Sequence, residues 1–331
     1  METQRYLYET HMHTSEASAC AGSTGAQMAR AYKEAGYTGI IVTDHFFYGN
    51  TSVDRSLPWE EWVRRFCLGY EHAKAEGKRI GLSVFFGWEA CYEGTEFLVY
   101  GLDQAWLLAH PQIKDASIGE QYALVHAGGG IISNAHPFRE EDYIPEIRLF
   151  PEYVDAVEGV NAMHSSRASD CHKNPLFNER ALAYGKEHNL PFTAGSDQHT
   201  THMIGGGMVF PRKLKDIHDF TRAVLDKEAV ELLDGRETIC AVKGFGKIET
   251  VVKPQRVCDR GDRQAGVLQQ IARLLHAEIC QIFLGGESQN SLKRAEQMTA
   301  AHADIAGDIL HGDGVGIIRG DVLNAFLYIA V

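Results

Sequence analysis

This chain of 331 residues has no Cys-x-x-Cys pair, no apolar run long enough to cross a bilayer and no excess of basic charge. Each absence excludes something. Its seven cysteines are odd in number and scattered, unlike a zinc ribbon or a paired secreted framework, and a reducing cytoplasm is the expected environment. The opening METQRYLYET has no apolar h-region, so neither a secretory leader nor a membrane role is expected. A formal net charge of −12 argues against binding nucleic acid irrespective of sequence, which needs a basic face to neutralise phosphates. Histidine, by contrast, is abundant: there are 16, several in short clusters.

The first cluster is THMHTSE, carrying His11 and His13. The preceding YLYE favours an extended strand, and on a strand residues i and i+2 project to one face. Two imidazoles side by side suit a metal ion. An isolated His-x-His is equally compatible with two surface histidines, so the rest of the chain has to decide.

Up to about residue 245, short apolar runs alternate with helix-like segments. YLYETHMH, GIIVTDH, SVFFGWEA, FLVYGLD, GIISNAHP, VDAVEGVN, FTAGSD and AVELLDG read as strands. STGAQMARAYKEAG, PWEEWVRRFCLGYEHAKAEG, SIGEQYALVHAGG, NPLFNERALAYGKEHN and IHDFTRAVLDKE read as helices, the first opening at a Ser/Thr cap and closing at Gly36. Such alternation predicts a mostly parallel sheet, open or closed into a barrel. The polar residues of interest fall where strands run out: His11 and His13, Asp44 and His45, Glu89, His136, Asp197 and His199. In α/β folds that carboxyl edge is where sites are built.

Five motifs in fixed order, THMHTSE, TDH, GWE, NAHP and GSDQH, resemble the polymerase-and-histidinol-phosphatase (PHP) family over roughly residues 5–245. The resemblance implies an α/β fold, a distorted (β/α)7 TIM-like barrel, with two or three divalent metals at the carboxyl ends of its strands. It also implies hydrolysis of a small-molecule phosphate ester by a metal-bound hydroxide at that di- or trinuclear site. Position by position, it makes His11, His13 and Asp197 ligands of a first metal and Glu89 a bridge to a second that also takes His136. His45 and His199 then hold a third. The mixture of imidazole and carboxylate is compatible with Zn, Mn or Fe.

Two departures from the family pattern stand out. Where members carry Asp or His five or six residues after the second histidine, this chain has Ser18 and Ala19. Glu16 is the expected substitute ligand, with Cys20 a weaker one. Where many members have a histidine about nine residues after the bridging Glu, this chain has Leu98, which leaves His164, Glu96 or a water to fill the place on the second metal. Asp44 is expected to orient a neighbouring ligand rather than bind metal. Arg139 is the candidate clamp on a phosphoryl oxygen, and His202 the candidate proton donor to a leaving group. The Gly128–Gly130 run reads as a helix terminator, and the Gly205–Gly207 run resembles a phosphate loop only superficially.

The expected organisation is a metallophosphoesterase domain over residues 1–250 and an extension of α or α/β structure over residues 251–331. That extension, otherwise unassigned, contains two amphipathic stretches and is expected to serve packing or homo-oligomerisation. Three other readings use the same residues: a metallohydrolase acting on a non-phosphate bond, a nuclease, and a non-catalytic metal-stabilised binding protein.

Overall fold

The computed structural model describes residues 5–236, apart from 167, 168, 170 and 203. The expectations for residues 251–331, the domain boundary at 250 included, lie outside the described residues.

Strand β1 (Tyr6–Met12) is followed by α1 (Gly25–Glu34), β2 (Gly39–Val42), α2 (Trp59–Phe66), α3 (Leu68–Ile80) and the long strand β3 (Ser83–Tyr92). Next come β4 (Thr95–Tyr100), α4 (Gln104–Ala109), α5 (Ile118–Ala127), β5 (Ile131–Asn134), β6 (Ala156–Asn161) and the single turn α6 (Ala162–Ser165). The described region closes with α7 (Pro175–Glu187), β7 (Phe192–Gly195), β8 (Gly206–Phe210), α8 (Ile217–Leu225) and β9 (Glu231–Asp234). The caps follow local chemistry. Thr24 and Gln27 form a reciprocal capping box at the start of α1, and Ser117 and Glu120 form another at α5. Gly128 caps α5 and Gly129 takes a positive φ, as expected of a helix terminator.

Hydrogen bonding orders the sheet β7-β6-β5-β4-β3-β2-β1-β8-β9. Beyond the end of β7 the chain returns to β1: His13 N donates to Gln198 O at 2.8 Å and Gln198 N to His11 O at 3.3 Å. These two bonds curl the seven strands β1–β7 into a nearly closed barrel.

The expectation of a mostly parallel sheet needs correction. Strand β4 runs antiparallel to both β3 and β5, and β8 and β9 add two further antiparallel pairings. The reason for the first is local. Glu93 and Gly94 both take positive φ and form a two-residue turn, which makes the two successive strands a hairpin and so antiparallel. The Gly205–Gly207 run contributes β8, with Gly207 pressed against the carbonyl of Tyr8, so it is no phosphate loop. The helix expected over PWEEWVRRFCLGYEHAKAEG divides at Cys67 into α2 and α3.

The barrel interior is filled by Tyr8, Ile41, Phe85, Leu98, Tyr100, Ile131 and Ala194. Outside it, α2 buries Trp62 and Phe66 in an aromatic layer against Phe46, Phe86 and Trp88. Each such fully buried side chain stabilises the fold by about 1.5–3 kcal/mol. Helices α1 and α3 cross at a glycine contact. A Cβ on Gly25 would lie 2.0 Å from Gly69 O, and one on Gly69 would lie 1.8 Å from Thr14 Oγ1. Only glycine at 69 lets α3 begin directly against the loop after β1, and this holds that loop over the barrel mouth.

Candidate metal centre

The carboxyl ends of β1, β2, β5 and β7, together with β3, converge on one buried point. His11 and His13 leave β1 on the same side with Nε2 atoms 3.3 Å apart. The Asp197 carboxylate lies 3.4 Å from His11 Nε2 and 3.0 Å from His13 Nε2. Glu89 sits centrally: Oε1 is 3.1 Å from both His11 Nε2 and His136 Nε2, and Oε2 is 2.7 Å from His45 Nδ1. The rings of His199 and His45 both stack on that of His13, with centroids 4.4 and 4.2 Å away. His136 and Asp197 hold φ values of 26° and 51°, a left-handed backbone that is uncommon outside glycine and concentrates at functional sites.

Hydrogen bonds on the outer side decide which way each imidazole faces. His11 Nδ1 donates to Glu158 Oε1 at 2.9 Å, and His199 Nδ1 donates to the Asp197 carbonyl at 2.7 Å. His13 Nδ1 faces the Ser18 hydroxyl at 3.2 Å. That hydroxyl gives its only proton to Asp44 Oδ1 at 2.7 Å and also accepts from His45 N, so His13 must supply a proton to it. All three rings therefore carry their proton on Nδ1 and turn Nε2 inward.

This arrangement fits divalent cations. Lone pairs of His11 and His13 face each other and two carboxylates, an arrangement of acceptors that calls for positive charge between them. His45 Nδ1 and Glu89 Oε2 are buried at short range without a hydrogen bond. Among the described residues, four groups have donor atoms spaced for an ion: His11, His13 and Glu89; His11, His136 and Asp197; His45, Glu89 and Glu96; and His13, His45 and His199. The electrostatics agree. Burial disfavours charge on His11, yet Glu158, Asp197 and Glu89 outweigh it and push its pKa well above the ordinary value, as a field that attracts cations must. Asp197 is buried, but Arg139 and His11 hold its carboxyl well below the usual carboxylate range.

The structure brings together His11, His13, His45, Glu89, His136, Asp197 and His199. Glu16 is not among them. Its carboxylate accepts from Gly25 N at the start of α1, at 3.0 Å, and pairs with His72 at 2.8 Å. The expected substitution by Glu16 is thus not what the geometry offers, because a carboxylate at a helix N-terminus already satisfies its charge. Cys20 comes nearer, with Sγ 3.3 Å from His45 Nε2; His199 and His45 outweigh its burial and lower the thiol pKa to about 6.

At the second gap, Leu98 lies directly across the β3–β4 ladder from Glu89 and is fully buried. Two residues along and on the same face, Glu96 places Oε2 3.4 Å from His136 Nε2, so of the two expected candidates it is Glu96 whose side chain reaches this place. Both nitrogens of His164 are engaged elsewhere: Nε2 with Arg139 at 3.2 Å and Nδ1 with Asn178 at 3.1 Å.

Arg139 is buried with Nη2 2.5 Å from Asp197 Oδ2. It lines a cavity of about 1230 Å³ together with His45, Glu96, Tyr143, Asp197, His199 and His202. His202 is exposed on the cavity wall.

Reading the sequence missed Glu9, Glu158, Ser18 and Asn178. Glu9 accepts from the backbone of Thr10, His11 and Ser196, tying the two ligand-bearing segments together. Glu158 also accepts from His136 N at 3.0 Å. A signal existed for both: each is a single carboxylate within an otherwise buried strand, where an unpaired charge is not tolerated.

Residues 175–228, which include the GSDQH motif, match the PHP-associated family model, in agreement with the resemblance read from the motifs. Among curated proteins none matches the chain. Similar solved structures include a two-domain protein containing a predicted PHP-like metal-dependent phosphoesterase from Bacteroides vulgatus. It is 12% identical, with 68% of this chain and 64% of that one covered and a TM-score of 0.48. A candidate metal-dependent phosphoesterase from Bifidobacterium adolescentis is 16% identical, with 66% and 96% covered and a TM-score of 0.40. An amidohydrolase from Chromobacterium violaceum with bound sulfate is 14% identical, with 58% and 87% covered and a TM-score of 0.41. The chain spans less than two thirds of the length of the Bacteroides protein.

Proposed function

We propose that this chain is a PHP-type metal-dependent phosphoesterase acting on a small-molecule phosphate ester in the cytoplasm. The observation that carries the reading is the buried convergence of five imidazoles and three carboxylates from distant segments, with an arginine at its edge and a large cavity in front.

Two or three divalent ions are assigned to it, with Zn, Mn and Fe all compatible with the donors. His11, His13, Glu89 and Asp197 would hold the innermost, Glu89, Glu96 and His136 the second, and His45 and His199 the outer one. Bound there, such ions lower the pKa of water and neutralise charge building on a phosphoryl group.

The chain's own groups do the rest. Glu158, and Ser18 backed by Asp44, hold His11 and His13 with their lone pairs inward. Arg139 reaches the cavity beside Asp197, where its planar fork binds a phosphoryl oxygen and steadies the charge that grows there. His202, exposed on the wall, is assigned the proton given to the departing oxygen. Among the described residues, no helix is long and apolar enough to cross a membrane.

The test is release of phosphate by metal-loaded protein from a panel of phosphomonoesters, nucleotides, short oligonucleotides and, as controls, amides and carboxylic esters. Turnover confined to phosphate esters and abolished by a chelator is expected. Turnover of amides alone, or full metal occupancy with no hydrolysis of anything in the panel, would refute the reading.

A further inference from the structure

A buried relay behind Arg139 carries a polarity that starts from the main chain. The backbone N–H of Asn161 donates to Asn178 Oδ1 at 3.0 Å, while Asn178 Nδ2 donates to Asn161 O at 3.0 Å. These two bonds leave no choice about which end of the Asn178 amide is oxygen. Oδ1 is an acceptor, so His164 Nδ1, 3.1 Å away, must carry the ring proton. His164 Nε2 is then a lone pair, and it accepts from Arg139 Nε at 3.2 Å.

We infer that His164, oriented by Asn178, is a positioning residue that holds Arg139 as the receptor for the substrate's phosphoryl group. A neutral imidazole suits this task. Buried arginines are usually held by carboxylates, which cancel the charge they orient. Here the rear partner is uncharged, and the carboxylate paired with Arg139 among the described residues, Asp197, lies on the cavity side among the ligand candidates. The guanidinium is fixed from behind at Nε by a neutral acceptor, and its charge is turned to the cavity side, where Asp197 holds Nη2. His164 is 1% exposed and Arg139 4%, so neither can be replaced by water without loss of geometry. Burial, reinforced by Arg139 and His136, pushes the His164 pKa down to about 2, in keeping with a permanently neutral acceptor.

The inference rests on the phosphoesterase reading, and the experiment separates the two. Full-length wild type, His164→Ala and His164→Gln are loaded with Mn²⁺, and three quantities are measured: metal per chain, inhibition by inorganic phosphate, and kcat and KM for p-nitrophenyl phosphate. His164→Ala is expected to raise KM and the phosphate inhibition constant about tenfold, the loss typical of one charge-assisted hydrogen bond, with kcat changed much less. Metal content stays at the wild-type value. His164→Gln, whose amide oxygen can accept from Arg139, is expected to recover most of the phosphate affinity. Loss of metal in either variant, or unchanged phosphate inhibition in His164→Ala, overturns the assignment. Should His164→Ala fail to fold, ¹⁵N spectra of wild-type histidines decide. The Nε2 signal of His164 is expected to remain that of a neutral, metal-free imidazole when Zn²⁺ is added, and a metal-induced shift overturns the inference. A wild type that neither hydrolyses phosphate esters nor binds phosphate removes the phosphoesterase reading itself, and the receptor role with it.

Discussion

The Ser18 hydroxyl oxygen lies 3.2 Å from Nδ1 of His13, and through it His13 is joined to Asp44. Where the family resemblance leads one to look for a metal ligand, this chain has placed the support for one. Replacing Ser18 by Ala removes the group that keeps the His13 proton on Nδ1 and leaves Asp44 a bond short. Affinity for Zn²⁺ or Mn²⁺, measured by calorimetry, is expected to fall about 10–100-fold, the usual loss when the partner behind a ligating histidine is removed. Unchanged affinity would mean that Ser18 only fills space.

His13→Ala and Asp197→Ala remove donors at the centre of the cluster. Hydrolysis is expected to vanish in both, with less metal bound per chain by elemental analysis and a circular dichroism spectrum close to wild type. Near-normal turnover in either variant would refute the site.

Glu16→Gln tests the corrected position of that carboxylate. Its contacts are the α1 N-terminus and His72, so metal content is expected to match wild type. Stability should fall by no more than about 1 kcal/mol, the scale of a helix-terminus charge. Loss of an ion would restore Glu16 as a ligand.

Gly69→Ala probes the packing that carries the loop after β1. The added Cβ would meet Thr14 Oγ1 at 1.8 Å, which neither helix nor loop can absorb without moving. A loss of about 1–3 kcal/mol in urea unfolding is expected, as for other overpacked sites, together with weaker metal binding. A neutral result would mean that α3 and the loop slide apart freely.

His164 makes a prediction about acid. Burial, with Arg139 and His136 behind it, lowers its pKa from the ordinary 6.5 to about 2. The unfolded chain takes up this proton near pH 6.5 while the folded chain refuses it. The contribution to stability is complete above that pH and drains away as pH falls toward 2. Linkage puts the loss at pH 5 on the order of 2 kcal/mol. In chelator-treated protein, wild type is expected to lose melting temperature between pH 7 and pH 5 faster than His164→Gln. Parallel curves would show that His164 accepts a proton in the fold.

Much of the centre could be read in advance because its information is local. The i, i+2 spacing of His11 and His13 implies one face of a strand, and Asp197 and His199 lie just beyond another strand of the same sheet. The hairpin joining β3 to β4 has a local signal too, the Glu93-Gly94 pair between two adjacent strands, whereas the strand-helix alternation elsewhere in the chain points to parallel pairing. Leu98 lies across the ladder from Glu89, and that Glu96 stands on the same face beside His136 follows from strand alternation once the β3–β4 register is known.

What the amino-acid order determined by itself was the inventory: which donors exist, and that strand ends would present them, since backbone periodicity acts over a few residues. The folded chain decided how they are used. Glu158 supports His11 across 147 positions, Glu16 turns away to the nearest helix start, and a main-chain amide at Asn161 dictates the proton on His164. Those outcomes depend on short-range hydrogen bonds between groups far apart along the chain, and only closure of the barrel brings such groups within 3 Å or so of one another.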